Sequence, residues 1–314
     1  HGFNIVSSNP GNGGDITLLA DHIIVGDNTV LDARGGVSFT AGDITLKAFN
    51  EKAIFTGGFI SYDEIDVDIT IGNNVSITGD NVVIEAKAES DKFFNESDFG
   101  GGDAGSFVSA ALNFGLGSIV SNSLASLFPF SIAISKSYAD VTVGDATITG
   151  TNVRVASTAN INLSAESKFG TPVAIGYGDT RATVTINGDI QATSGNATFT
   201  SDVNNQANVI ADSGAINGLS AALSVFVLDS VSTVNLTDDS SITVDDGNLV
   251  VRANAVDKTY IGATATAKET TISAQEKGKL GASKADDGAL ALGFALALEN
   301  TNSSAYVDGV VDVN

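Results

Sequence analysis

The stretch GGDITLLA at residues 13–20 returns almost unchanged as AGDITLKA at residues 41–48. In each copy an Asp is followed by Ile, Thr and Leu, whose apolar and polar side chains alternate as in a half-buried β-strand. A short repeat of this kind predicts a solenoid, in which each strand lies directly on its counterpart in the next coil. We therefore expect Ile16 to lie beside Ile44, with the Asp turning the corner before each strand.

Related segments recur through the rest of the chain. Each has an apolar strand, a corner of Asp, Asn or Gly, a second short strand, a second corner and a third strand. The copies are VDITIGNNVSITGDNVVIEAKA (67–88), ADVTVGDATITGTNVRVAS (139–157), ATVTINGDIQATSGNATFTS (182–201) and STVNLTDDSSITVDDGNLVVRAN (232–254). We take Ile69, Val141, Val184, Val234 and Val307 as equivalent positions, which makes the coils unequal in length.

The intervals between copies contain Ala- and Gly-rich apolar stretches, such as TPVAIGYGDTRA and GLSAALSVFVLDS. We predict strands there, because Gly recurs inside them, although DDGALALGFALALEN also fits a helix. A step of small residues leads from each stretch into the next copy. Two regions break the pattern and predict loop excursions at 89–105 and 266–287, the second also compatible with a short helix. The whole chain, 1–314, is interpreted as a single elongated β-solenoid unit and a fragment of a longer protein.

Composition restricts the function. The 314 residues carry 37 acids against 15 bases, a formal charge of −22, which repels nucleic acid and anionic membrane surfaces. The chain has no Cys, which excludes disulfides and thiolate metal sites and is typical of bacterial surface proteins. The most apolar region, 107–135, falls short of the roughly 20 continuous apolar residues of a membrane helix, so we expect no membrane insertion here.

The segment GNGGDITLLADHIIVGDNTVLDARGG (11–36) resembles the coils of filamentous haemagglutinin-type bacterial exoproteins. The segment GALALGFALALENTNSSAYVDG (288–309) is similar to units of the leukotoxin-like large repetitive surface adhesins. The resemblance covers most of the chain in style. It implies an all-β, right-handed parallel β-helix, export across the outer membrane, and an extracellular role as a surface fibre or adhesin. It implies no catalytic residues.

A search for chemistry gives acidic clusters and little else. Asp63, Glu64, Asp66 and Asp68 form one group, and Asp286 and Asp287 another, but Asp at turns needs no further cause. We expect His22 to be an exposed strand-edge residue, and Arg154 and Arg252 to face outward at similar places in their copies. Calcium is the most reasonable small partner, because stacked corners bring carboxylates together. The weak candidates for its ligands are Asp238, Asp239, Asp245 and Asp246.

These observations predict a non-enzymatic stalk or filament segment of a secreted bacterial surface adhesin or extracellular fibre. Its expected partners are a host or neighbouring-cell surface, matrix or glycans, and further copies of itself in a self-assembling filament. No cofactor is certain, and calcium is the one that the corners favour. The alternative is a β-helix polysaccharide lyase or tailspike-type glycosidase, which predicts acids and aromatic residues along one face.

Overall fold

The computed structural model describes residues 4–6, 13–35, 41–53, 60–91, 130–168, 172–216, 219–267, 270–274, 279–284 and 290–314. Every regular element in these ranges is a β-strand, and the strands form three sheets. Sheet A contains β1 (Asn4–Val6), β4 (Val30–Asp32), β7 (Val75–Thr78), β10 (Ala146–Gly150), β14 (Asp189–Ala192), β17 (Ser241–Val244) and β22 (Val310–Val313).

The other two sheets contain the longer strands. Sheet B contains β2 (Ile16–Ala20), β5 (Ile44–Ala53), β8 (Asn81–Asp91), β11 (Asn152–Asn160), β12 (Asn162–Lys168), β15 (Ala197–Ile216), β18 (Leu249–Ala267) and β19 (Thr270–Ala274). Sheet C contains β3 (His22–Val25), β6 (Ile60–Ile71), β9 (Phe130–Val143), β13 (Val173–Ile186), β16 (Leu219–Leu236), β20 (Lys279–Lys284) and β21 (Leu290–Val307). The chain visits sheet B, then C, then A in each of the six coils that these residues form.

Strands of successive coils pair in parallel, as in a parallel β-helix. Ile16 pairs with Ile44, which confirms the prediction made from the repeated DITL. The predicted equivalence of Ile69, Val141, Val184 and Val234 is also confirmed by the registers. The last alignment is wrong by two residues, because Val234 pairs with Ala305 and Val307 with Leu236. A shift of two keeps the same face of the strand, so the hydrophobic pattern alone could not reveal it.

The inside of the three-sheet coil is filled by Ile, Val, Leu and Ala side chains. Along β7, Val75 and Ile77 are buried, whereas Ser76 and Thr78, which alternate with them, face outward. The same alternation in every sheet stacks apolar side chains from coil to coil into one continuous core. Burial of each Val, Leu or Ile side chain contributes about 1.5–3 kcal/mol, so this core is the main source of stability.

Sheets B and C extend beyond this coil and face each other as a sandwich with its own core. The Ala- and Gly-rich stretches form its walls as strands, as predicted, and pack Phe226, Leu228, Ile161 and Leu163 between many Ala side chains. The sandwich makes the later coils wide: a strand of 19 residues spans about 60 Å, while six stacked coils rise only about 29 Å. The described coils are therefore wider than their stack is tall, because the extra residues lengthen strands instead of adding coils.

The predicted excursion at 266–287 also differs from the structure. Strands β19 and β20 lie in this region, and they pair antiparallel with the sandwich ends of β18 and β21. They cover the outer edge of the last coil over the sandwich, where unpaired backbone groups would otherwise be exposed. In the other predicted excursion, residues 89–91 end β8, and the remainder lies outside the described residues.

Candidate functional site

A ladder of Asp and Asn side chains follows the corner between sheets A and B through all six coils. We call it the corner ladder; its rungs are Asp15, Asp43, Asn81, Asn152, Asn196 and Asn248. Each rung joins the next coil by a hydrogen bond of 2.9–3.1 Å, mostly from a backbone N–H to a side-chain oxygen. The corner backbone, which no strand partner can satisfy, is thus satisfied by the neighbouring coil.

The corner between sheets C and A carries a shorter ladder of the same kind. The Asp27 carboxylate accepts the N–H of Asn73 at 2.7 Å, and the Asn73 side chain accepts the N–H of Asp145 at 2.9 Å. Asn28 and Asn74, which follow two of these residues, adopt left-handed backbone conformations with φ of 59° and 54°. Asn tolerates this conformation better than most residues do, so Asn suits these two corners because of the backbone conformation that they require.

A polar layer separates the coil core from the sandwich core, at the place where sheets B and C approach each other. We define the polar layer as the buried Ser137, Ser157, Thr180, Ser201, Asn205, Ser230 and Ser232. Their hydroxyls bond the opposite sheet: Ser157 Oγ donates to the Ala139 carbonyl at 2.5 Å, and Ser201 Oγ to the Ala182 carbonyl at 2.7 Å. Small side chains allow this approach, and each hydroxyl finds a partner, which removes the cost of burying it.

Asn205 is the centre of the polar layer in the fifth coil. Its side chain is 1% exposed, and its Oδ1 accepts from the Ile161 N–H at 3.2 Å and from Thr180 Oγ1 at 3.0 Å. Its Nδ2 donates at 2.8 Å to both Ser230 Oγ and Asp257 Oδ1. All four hydrogen-bonding positions of the amide are therefore used.

The outer face of sheet C, near the coil, carries charged and aromatic side chains side by side. Tyr138 donates to Asp179 Oδ2 at 2.6 Å, and the Arg181 guanidinium lies 5.1 Å from the Tyr138 ring centre and 2.7 Å from Asp140 Oδ2. Tyr62 bonds Glu64 on the same face. Burial, and then the hydrogen bond to Asp179, raise the pKa of Tyr138 far above its ordinary value, so its phenol stays protonated.

The four calcium candidates lie on one coil but at two different corners. Asp238 and Asp239 precede the four-residue strand β17, whereas Asp245 and Asp246 follow it. Strand rise separates the two pairs by about 13 Å or more, so they do not form a joint site. Asp245 Oδ2 instead accepts from Gln191 Nε2 at 3.0 Å in the preceding coil. Within the described ranges, no group of three or more His, Asp or Glu side chains is placed to hold a metal ion.

The acidic cluster on β6 is split between the two faces of the strand, because successive side chains of a strand point to opposite faces. Asp63 points inward and is 1% exposed, whereas Glu64 and Asp66 are exposed on the outer face. Asp68 is on that face too, against His22, which lies at an exposed strand position as predicted. Asp286 and Asp287 lie outside the described residues.

The two arginines predicted to face outward do so, each beside a carboxylate. Arg154 lies 3.6 Å from Glu85, and Arg252 lies 2.9 Å from Asp202. They occupy adjacent rows of sheet B, since Arg154 aligns with Thr198 and Arg252 with Thr200.

The polar layer was missed from the sequence, although its signal is present. The small-residue steps SKSYAD, DTRATV and DSVSTV contain four members of the polar layer, and the Ser residues of the first and third steps stand at alternate positions. Alternation predicts that these hydroxyls face one side of the strand. Because the other side carries charged residues and faces water, the side with the hydroxyls is the buried one.

The described residues contain no helix of the length and apolarity needed to cross a bilayer. Comparison of the chain with protein-family models, with curated proteins and with solved structures gave no match. The three stacked parallel sheets define the class of the chain as a parallel β-helix with a sandwich extension.

Proposed function

We propose that this chain is a non-catalytic structural segment of a secreted bacterial surface adhesin or extracellular fibre. The observation that supports it best is the unbroken parallel pairing of all three sheets, coil upon coil, together with a corner ladder that crosses every coil. The resemblance to haemagglutinin-type coils, the charge of −22 and the lack of Cys agree with an extracellular location.

The mechanical consequence follows from the direction of the hydrogen bonds. In stacked coils the backbone hydrogen bonds of sheets A, B and C run along the solenoid axis. A force along that axis loads the three sheets and the corner ladder together, so one coil separates from the next only when many bonds break at once. Such a segment transmits force between a cell and the surface, matrix or glycan that it contacts.

Two measurements test the proposal. An antibody against the folded chain should label intact cells of the source bacterium, and absence of labelling would contradict the surface location. In single-molecule pulling along the axis, wild type should rupture at higher force than Asn152→Ala, which loses a rung of the corner ladder. Asn302→Ala, at an exposed position of β21, is the control and should rupture like wild type.

A polysaccharide lyase is the alternative, and the Tyr and carboxylate side chains on the outer face of sheet C favour it. A lyase base must be able to lose its proton, however, and the raised pKa of Tyr138 opposes that role. Incubation with acidic polysaccharides separates the two functions: unsaturated products that disappear in Tyr138→Phe would establish the lyase and refute the structural function.

A further inference from the structure

The molecule has two separate hydrophobic cores of different composition. Of the 17 described residues in the sandwich core, 11 are Ala. Of the 38 described residues in the coil core, only 10 are Ala, and the other 28 are Ile, Val, Leu or Phe. A buried Ala removes much less apolar area from water than a buried Ile or Leu does. On average, a residue of the sandwich core therefore contributes less to stability than a residue of the coil core.

The polar layer separates these two cores, and several of its hydrogen bonds end on the coil. Ser157 and Ser201 donate to the carbonyls of coil-core Ala residues, and Ser232 Oγ donates to the Ser201 carbonyl at 2.8 Å. These bonds do not need the sandwich. Hydroxyls can also bond water, whereas exposed Ile and Val side chains cannot. If the sandwich opened, the coil core would remain covered by polar side chains.

Sheet B is interrupted at the polar layer in the fourth coil. Strand β11 ends at Asn160 and β12 begins at Asn162. The N–H of Ile161, between them, donates to the Asn205 side chain at 3.2 Å instead of to a strand partner. Among the described strands, β12 pairs with β15 alone, whereas β11 pairs with both β8 and β15. The backbone thus changes at the same place as the core.

The first coil shows that the coil does not need the sandwich. Strands β2 and β3 have only 5 and 4 residues, and both end within the coil. Ile16 and Ile23 on these strands are nevertheless buried in the coil core. In the fifth coil, by contrast, β15 and β16 run from the coil into the sandwich, so the coil fixes where the sandwich strands begin. The sandwich therefore depends on the coil, and the coil does not depend on the sandwich.

We propose that the sandwich unfolds locally as a cooperative unit of its own, with the polar layer as its boundary, while the coil beside it stays folded. Asn205 Nδ2 donates to Ser230 Oγ at 2.8 Å and so closes the fifth coil at the base of the sandwich. The 24 residues between these two, 206–229, can then leave their places without opening the coil. Proteins open in such contiguous units at free energies below that of global unfolding. The inference concerns the folding of the chain and does not depend on the proposed structural function.

Hydrogen exchange of the purified full chain, followed by mass spectrometry, tests the proposal. Strands β15 and β16 supply amides on both sides of the polar layer: 206–212 and 222–229 in the sandwich, and 197–203 and 232–236 in the coil. In wild type without denaturant, the sandwich amides should exchange at least about 100-fold faster than the coil amides. Equal exchange on the two sides, with the same dependence on urea, would overturn the proposal, because the chain would then open as one unit.

Each core also offers a buried Phe for a matched pair of variants. Phe226 of the sandwich core is 1% exposed, and Phe199 of the coil core is 0% exposed. Phe226→Ala should speed exchange of the sandwich amides by a further factor of about 100 or more and leave the coil amides unchanged. Phe199→Ala should speed exchange on both sides of the polar layer, because the sandwich depends on the coil.

The wild-type comparison and Phe226→Ala decide the question even if Phe199→Ala does not fold. A Phe226→Ala chain whose coil amides lose as much protection as its sandwich amides would refute a separate sandwich unit. A Phe226→Ala chain that does not fold at all would refute it too, since the coil should form without the sandwich.

Discussion

Replacing Asn205 by Ala tests whether the polar layer stabilises the fold. The wild-type amide makes four hydrogen bonds, to the Ile161 N–H, Thr180, Ser230 and Asp257. In Asn205→Ala, Ser230 can still donate to Asp257 at 3.0 Å, so that side of the cluster keeps a bond. The Ile161 N–H and the fully buried Thr180 hydroxyl both donate to Asn205 Oδ1 and lose that acceptor, the one found for each among the described residues.

The expected loss is the cost of these two groups and of a small cavity. A buried donor left without an acceptor costs about 1–3 kcal/mol, and there are two of them. We therefore expect Asn205→Ala to lower the free energy of unfolding by about 4 kcal/mol, a large part of the stability of an ordinary domain. Asn208→Ala is the matched control, because Asn208 lies three residues later on the outer face and donates to Glu166 at only 3.3 Å. Its cost should stay below about 0.5 kcal/mol.

Asn205→Asp sharpens the test through pH. The introduced carboxyl would face Asp257 Oδ1 where an amide now donates at 2.8 Å, so the pair favours holding a proton and its folded-state pKa rises. A folded-state pKa above the unfolded one means that the variant's stability relative to wild type is highest below about pH 4 and falls as pH rises from there through the raised pKa.

Urea unfolding followed by circular dichroism measures all three variants, with the pH series run on Asn205→Asp. A loss below about 1 kcal/mol for Asn205→Ala, or equal losses for Asn205→Ala and Asn208→Ala, would refute the view that the polar layer is a satisfied hydrogen-bond network whose loss is costly.

Three further predictions concern other features. Asn152→Ala should cost about 2 kcal/mol by urea unfolding, because it breaks the corner ladder on both sides, while Asn302→Ala should be neutral; equal midpoints would contradict the ladder's role. Gly178→Val should cost about 2 kcal/mol, since a Cβ there would lie 2.5 Å from Cδ1 of Ile161, which lies between β11 and β12; Gly262→Val, whose Cβ would meet no atom of the described residues nearer than 3.6 Å, should be tolerated, and the reverse order would show that the sandwich is not tightly packed. In an alkaline titration Tyr138 should stay protonated when ordinary Tyr side chains ionise near pH 10, so Tyr138→Phe should remove no absorbance change there; a smaller change would contradict the raised pKa.

The coil could be predicted from the sequence because stacking repeats its side chains. Ile16 and Ile44 occupy the same position in successive coils, so the repeat in the sequence is the repeat in space. The corner residues could be predicted for the same reason, since Asp and Asn interrupt each strand at a regular place. Their hydrogen-bond partners in the next coil could not be predicted, because the coils differ in length. Asn81 and Asn152, for example, are bonded although they lie 71 residues apart.

The sandwich and its polar layer could not be predicted from the sequence pattern. The sequence predicts strands in the Ala- and Gly-rich stretches, but nothing local shows that they face a second wall instead of enlarging the coil. Ser137 bonds the Ala88 carbonyl from 49 residues away, across a segment with no repeat. The sequence predicts a loop excursion where β19 and β20 lie, because the region is rich in Lys and the two segments TTISA and KLGASK are too short to show a clear alternation.

The corner ladder also determines how this chain can change in length. Its rungs are 28, 38, 71, 44 and 52 residues apart, yet each rung but the last accepts a hydrogen bond of 2.9–3.1 Å from the rung of the next coil. Extra residues are therefore accommodated between the rungs, where the strands of sheets B and C lengthen together. The distance from one coil to the next along the axis stays the same. The end of the sandwich that lies away from the coil is therefore the place at which to graft a peptide. In evolution, the width of a coil can change without loss of the stacking between coils.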